Sequence, residues 1–185
     1  MAMLSLPVDP ARDHIQGEEN APVTLVEYGD YECSYCGTAY SIVKSLQAAL
    51  DDRLRFVYRH FPLADIHPHA EHAAEAAEAA GAQKRFWAMH NALYEHQNSL
   101  GDTKIKDIAD GLGLNGMTLL EQVRRQIFAD RIEEDFESGI VSGVTATPTF
   151  FINGRLYEGS WNDTQEFLEA LEQAAASRTV ATEEA

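Results

Sequence analysis

Val23-Thr24-Leu25-Val26-Glu27-Tyr28-Gly29-Asp30-Tyr31-Glu32-Cys33-Ser34-Tyr35-Cys36 passes from a strand, through a turn, into the first turn of a helix. Its first six residues are β-rich and apolar on both faces, which suits a buried central strand. Gly29 and Asp30 turn the chain. From Cys36 onward, Tyr40, Ile42, Val43, Leu46, Ala49 and Leu50 recur at helical spacing. The chain has 2 cysteines, and they open this helix together. Their spacing puts both sulfurs on one turn, within reach of a disulfide that closes and opens without large backbone movement. A bridge that short removes little chain entropy, so its value lies in reactivity. Helix N–H groups and the positive end of the macrodipole favour a thiolate at Cys33. The dipole supplies about 0.3–1 kcal/mol, under about one pKa unit, so direct N–H···S contacts must supply any larger effect. The implied chemistry is thiol–disulfide exchange, with Cys33 attacking and Cys36, one turn deeper and less exposed, resolving the mixed disulfide.

Outward from this stretch, Leu54-Arg55-Phe56-Val57-Tyr58-Arg59 is a second strand. Strand, helix and strand form a βαβ unit, whose strands are expected to run parallel with a right-handed crossover. Helical patterns follow. Pro68 fits a first turn, and Ala70, Ala73, Ala74, Ala77 and Ala80 make a small-residue face ended by Gly81. Phe86, Met89, His90, Leu93 and Tyr94 mark a second helix, Ile105, Ile108 and Ala109 a short third; Leu119–Phe128 and Ile132–Ile140 supply more. Trp87, Phe86 and Tyr94 read as an aromatic core stripe. Thr149-Phe150-Phe151-Ile152 is then a strand, Asn153-Gly154 a two-residue hairpin turn, and Arg155-Leu156-Tyr157 the antiparallel return. Asp163 with Glu166 makes a capping box for a last helix bearing Phe167, Leu168 and Leu171. The order is β-α-β, a helical block, then β-β-α. This predicts an α/β thioredoxin-like fold with an inserted all-helical domain. The expected layout is an arm over 1–20, a thioredoxin-like domain over 21–63 and 141–176, the insertion over 64–140, and a disordered acidic tail over 177–185.

Two further features point at the cysteines. Glu27 shares a strand face with Val23 and Leu25, so its carboxylate is expected to be desolvated, raised in pKa, and able to accept the proton of Cys36; the opposing reading is a solvated carboxylate at a strand end. Pro148 precedes a buried-looking strand, and a cis Thr147–Pro148 bond would leave the Thr147 backbone free to pair with an extended substrate. On the residues alone, an ordinary trans proline at the strand start is the commoner case and the one to expect.

Glu27 through Cys36, the helical block, Gly143-Val144-Thr145-Ala146-Thr147-Pro148-Thr149-Phe150 and Asn153-Gly154 together resemble the DsbA family of thiol–disulfide oxidoreductases. The resemblance runs from about Asp13 to Ala176 by element order. It implies that Cys33 is the nucleophile, Cys36 resolves, Glu27 lies buried beneath them, and a cis proline at Pro148 faces the disulfide. Tyr35, Thr147 and Pro148 would then meet the substrate, a protein or peptide thiol or disulfide, alongside a separate redox partner. No cofactor beyond the Cys33–Cys36 couple is implied. Ser34-Tyr35 departs from the Pro-His of the prototype and is more like glutaredoxins. Without a cationic neighbour, the Cys33 pKa is expected above the extreme of about 3.5 known for such motifs.

Composition narrows the remainder. Thirty acidic against 14 basic residues give a net charge of -16, which repels phosphate backbones and anionic lipid, so neither nucleic acid nor membrane is an expected partner. No apolar run approaches the roughly 18 residues of a membrane span, and Met1–Asp13, broken by Pro7 and Pro10, does not read as a secretory signal; a cytoplasmic protein is the expectation, the alternative being an exported one whose leader has been removed. Two rival readings remain. A metal chaperone would join the cysteines to His67, His69 and His72, although structural zinc wants four ligands and only His69 and His72 share a helix side. A binding module would carry the thiols incidentally. Arg59 is a weak candidate partner for Glu27, and His60 is either near the active face or the start of a loop.

Overall fold

The computed structural model describes residues 2–183, with side chains through Ser177. It divides into two compact units, one formed by Met1–Tyr28, Thr38–Arg59 and Ser138–Ala185, the other by Gly29–Gly37 and His60–Glu137. The second therefore takes in the cysteine segment as well as helices. A division at 64 and 140 follows the change from strand to helix pattern and leaves Gly29–Gly37 with the strands.

The first unit is built on a five-stranded sheet in the order β1-β3-β2-β4-β5, from β1 (His14–Gln16), β2 (Val23–Gly29), β3 (Leu54–His60), β4 (Thr149–Ile152) and β5 (Arg155–Leu156). In β2 every residue but Thr24 is buried, as expected of a strand covered on both faces. It pairs antiparallel with β4, Glu27 opposite Phe150 and Tyr28 opposite Thr149. At the hairpin, Asn153 and Gly154 have φ of 48° and 80°, the left-handed pair that a type I′ turn requires and that Asn-Gly tolerates. Apolar cover comes from α1 (Ser34–Leu50) through Val43, Leu46 and Leu50, and from α7 (Thr164–Glu183) through Phe167 and Leu171. Phe167 meets Phe150 edge-on at 5.0 Å and stacks on Tyr157 at 4.7 Å.

Three expectations change in this unit. The stretch read as an arm over 1–20 is built into the sheet: β1 pairs with β3 at one sheet edge, and Met3 bridges Arg155 of β5 at the other. A three-residue strand carries too little alternation to be visible in sequence. Asp163 does cap α7, accepting from the N–H groups of Gln165 and Glu166, but Glu166 reaches the Ser160 N–H at 2.9 Å instead of closing the box. Finally, α7 runs to Glu183, so backbone expected to fray from residue 177 is helical that far; residues 184 and 185 lie outside the described residues.

The second unit holds α2 (Ala70–Gly81), α3 (Phe86–Glu95), α4 (Asp102–Gly111), α5 (Gly116–Arg124) and most of α6 (Ala129–Val141). Seven alanines of α2 are buried; small side chains let α3 and α5 both close on that helix. Asn115 caps α5 by accepting the Thr118 N–H. Phe86 and Tyr94 of the aromatic stripe are buried with Met89 and Leu93, while Trp87 is half-buried.

Candidate active site

Asp30 builds the turn that delivers the cysteines. Its carboxylate accepts the Glu32 N–H at 2.7 Å, an Asx turn, and its carbonyl accepts the Cys33 N–H at 3.2 Å. Its second oxygen takes the Leu63 N–H and a His67 ring nitrogen, both at 2.8 Å, which ties the loop before α2 to the turn. Glu32 adds a second tie, accepting the His69 N–H at 2.6 Å. From the sequence, Asp30 reads only as a turn residue, and nothing marks Glu32. A short acidic residue after a strand reads as any turn, and the partners that tie it to the loop before α2 lie more than 30 positions away.

Cys33 immediately precedes α1 and Cys36 lies in its first turn; both are thiols in this structure. Cys36 is completely covered and Cys33 is 6% exposed, so the expected order of exposure is present although both cysteines are buried. Tyr35 between them is 66% exposed. The Asp30 N–H points at the Cys36 sulfur at 3.5 Å, so one N–H···S contact is directed at the inner thiol. The Cys33 carbonyl begins the helix by accepting the Gly37 N–H at 3.1 Å. It also accepts the Gln97 amide at 2.7 Å, and the same Nε2 donates to the Tyr31 carbonyl at 2.9 Å. Gln97 sits in a short 3₁₀ turn, Gln97–Ser99, just after α3.

Beneath the turn, Tyr31 is buried, its hydroxyl 3.1 Å from a ring nitrogen of His90 and its ring 4.9 Å from Tyr94. His60 is the last residue of β3 and not the start of a loop; its buried ring meets Glu78 at 2.8 Å and lies 6.0 Å from the ring of Tyr31 in the cysteine turn. The three clustered histidines part company. His67 goes to Asp30, His72 to Asp102, and His69 is held through its backbone. Among the described residues no group of three His, Cys, Asp or Glu side chains is arranged to hold a metal ion.

In the other unit, Glu27 is 2% exposed. Being directly opposite Phe150, it shares that residue's sheet face. The Thr147–Pro148 peptide is cis and leads into Thr149, the partner of Tyr28. Glu27 and the proline segment thus meet at one end of the β2–β4 pair. Arg59 turns away from Glu27. Its guanidinium binds Asp13 at 3.0 Å and the Tyr28 hydroxyl at 2.9 Å. Burial works to lower the Arg59 pKa, but the Asp13 hydrogen bond and the neighbouring Tyr28 more than offset it and raise the value.

Residues 10–173 match the model of a family described as Thioredoxin. Among curated proteins, the Na(+)/H(+) antiporter NhaA 1 of Salinispora arenicola (strain CNS-205) is 46% identical over 179 residues, 97% of this chain and 26% of the antiporter. The Na(+)/H(+) antiporter NhaA of Herminiimonas arsenicoxydans is 41% identical over 86% of this chain and 25% of its own length. The chain spans about a quarter of the length of these relatives. Among solved structures, BdbD from Bacillus subtilis in its oxidised form has a TM-score of 0.84 at 24% identity, covering 95% of this chain and 98% of that one. A thioredoxin-like oxidoreductase from Silicibacter pomeroyi DSS-3 has a TM-score of 0.76 at 29% identity, covering 94% of each chain.

Proposed function

The chain belongs to the thioredoxin family, and on that footing we propose that it is a thiol–disulfide oxidoreductase working through Cys33 and Cys36 on protein or peptide substrates. The observation that carries the reading is the placement of both sulfurs at the start of α1, the outer one beside the exposed Tyr35 and the inner one fully covered. In the reducing direction the Cys33 thiolate attacks one sulfur of a substrate disulfide. A Cys33–substrate bond forms, the substrate S–S bond breaks, and one substrate thiolate leaves. Cys36, as thiolate, then attacks the Cys33 sulfur; the enzyme disulfide forms and the second substrate thiolate departs. Two electrons have passed to the substrate, and a separate dithiol partner must return two. The reverse sequence oxidises a substrate dithiol. Both electrons reside in the sulfur pair, so the proposal calls for no further cofactor.

The proton of Cys36 is assigned to Glu27, a buried carboxyl three residues before the Asp30 whose N–H meets the Cys36 sulfur. Substrate backbone is assigned to Thr147 and Pro148, after the β-addition by which extended peptides pair with an open backbone edge. Cys33→Ala should abolish insulin reduction and dithiol oxidation, whereas Cys36→Ala should accumulate mixed disulfides visible on a non-reducing gel. A wild-type chain that binds peptide clients but reduces no insulin and oxidises no dithiol, with Cys33→Ala binding as well as wild type, would instead support a binding module with incidental thiols.

The antiporter relatives carry a similar segment within a much longer protein. None of the described helices here is long and apolar enough to cross a membrane, and the reading for this chain is confined to thiol chemistry.

A further inference from the structure

Gly37 lies inside α1, where glycine costs roughly 0.5–1 kcal/mol relative to alanine. Its backbone is not in the left-handed region, so conformation does not demand glycine. Space does. A Cβ on Gly37 would run into Oε1 of Gln97. The rest of that amide is fully engaged, since Nε2 donates to both the Cys33 and Tyr31 carbonyls. A long, flexible side chain can swing clear of a new methyl group, but moving the amide disturbs the two bonds that its Nε2 makes.

We propose that Gln97 is a positioning residue for Cys33, and that Gly37 is glycine because it leaves room for that amide. The inference rests on the oxidoreductase reading and deepens it. Two donated bonds pin the carbonyls on either side of Glu32, so the turn holding the nucleophile is tied to the helical block as well as to α1. The Cys33 carbonyl receives a side-chain donor and a helix donor together. This fixes how the first turn of the helix presents its N–H groups to the Cys33 sulfur. Without Gln97 the turn loosens, the thiolate loses part of the helix-end stabilisation, and the dithiol is disfavoured relative to the disulfide.

The experiment uses the full chain and the variants Gln97→Ala, Gln97→Glu, Gly37→Ala and the double variant Gly37→Ala with Gln97→Ala. Each is equilibrated with reduced and oxidised glutathione, and each has its thiolate absorbance titrated against pH. Gln97→Glu keeps the size and sets an acceptor against two carbonyls, so it reports even if the alanine variant folds poorly. The expected result is a shift toward the disulfide in each single variant of up to roughly two- to five-fold, the full helix-end contribution being the ceiling, with a higher thiolate midpoint. Gly37→Ala should add no further shift once Gln97 is already alanine, and in that background it should raise resistance to urea. Glutathione equilibria and titrations equal to wild type in both Gln97 variants overturn the proposal, as does a Gly37→Ala effect that survives in full without Gln97. A wild-type chain whose cysteines do not exchange with glutathione overturns the oxidoreductase reading itself, and this inference with it.

Discussion

At the scale of single residues, the chemistry was legible where it follows a local rule and hidden where it depends on distant partners. Cys33 and Cys36 declare themselves through three-residue spacing at a helix start. Asp30 and Gln97 do not: Gln97 reaches a carbonyl 64 positions away, and no periodicity encodes such a pair. Replacing Asp30 by alanine leaves the Glu32 and Leu63 N–H groups without their carboxylate acceptor. The expected cost is about 1–3 kcal/mol, the usual penalty for orphaned donors in partly buried sites, read as a lower urea midpoint. Glu27→Gln tests the proton assignment separately. Mixed-disulfide formation by Cys33 should proceed as in wild type while its resolution by Cys36 slows by roughly 10²-fold, the lower end for loss of a general base. Stopped-flow mixing with a disulfide substrate separates the two steps.

At the scale of elements, most helices and strands were visible in the apolar pattern, and the errors lie at their ends and in their surroundings. The alanines of α2 predict a small-residue face, yet Glu75 and Glu78 of the same helix are buried too. Alanine is small enough for neighbours to close on several sides of the helix, so a polar residue does not mark a solvent face there. Burial raises the Glu75 pKa above its ordinary 4.5, with the adjacent Glu78 adding to it and the Phe128 N–H opposing. The folded chain therefore keeps a proton that the unfolded chain has already released, and stability falls as pH rises from about 4.5 through the raised value. In Glu75→Gln this slope should flatten, because the amide oxygen still accepts from Phe128 without a charge. The variant should be more stable than wild type at neutral pH, with the difference closing below about pH 4.5. Urea midpoints across a pH series provide the check.

At the scale of the whole molecule, element order carried the fold, since β-α-β followed by helices and β-β-α leaves few sensible topologies. The amino-terminal segment escaped, being held by tertiary bonds and not by any repeating pattern. Asp13 and Arg59 form a completely buried ion pair, and Arg59 is also bonded to the Pro7 carbonyl and the Tyr28 hydroxyl. Asp13→Ala strands that guanidinium in the interior and should cost about 3–5 kcal/mol, measurable by thermal or urea unfolding. The same segment supplies β1 along the outer side of β3 and Met3 against β5. One short stretch of chain therefore guards both flanks of the sheet. Proteolysis after Gln16 would uncover the outer edge of β3 and the short edge of β5 in a single cut, leaving unpaired backbone groups that are a template for another molecule. Clipped material should grow into open-ended stacks that sediment with time, while the intact chain stays clear of them.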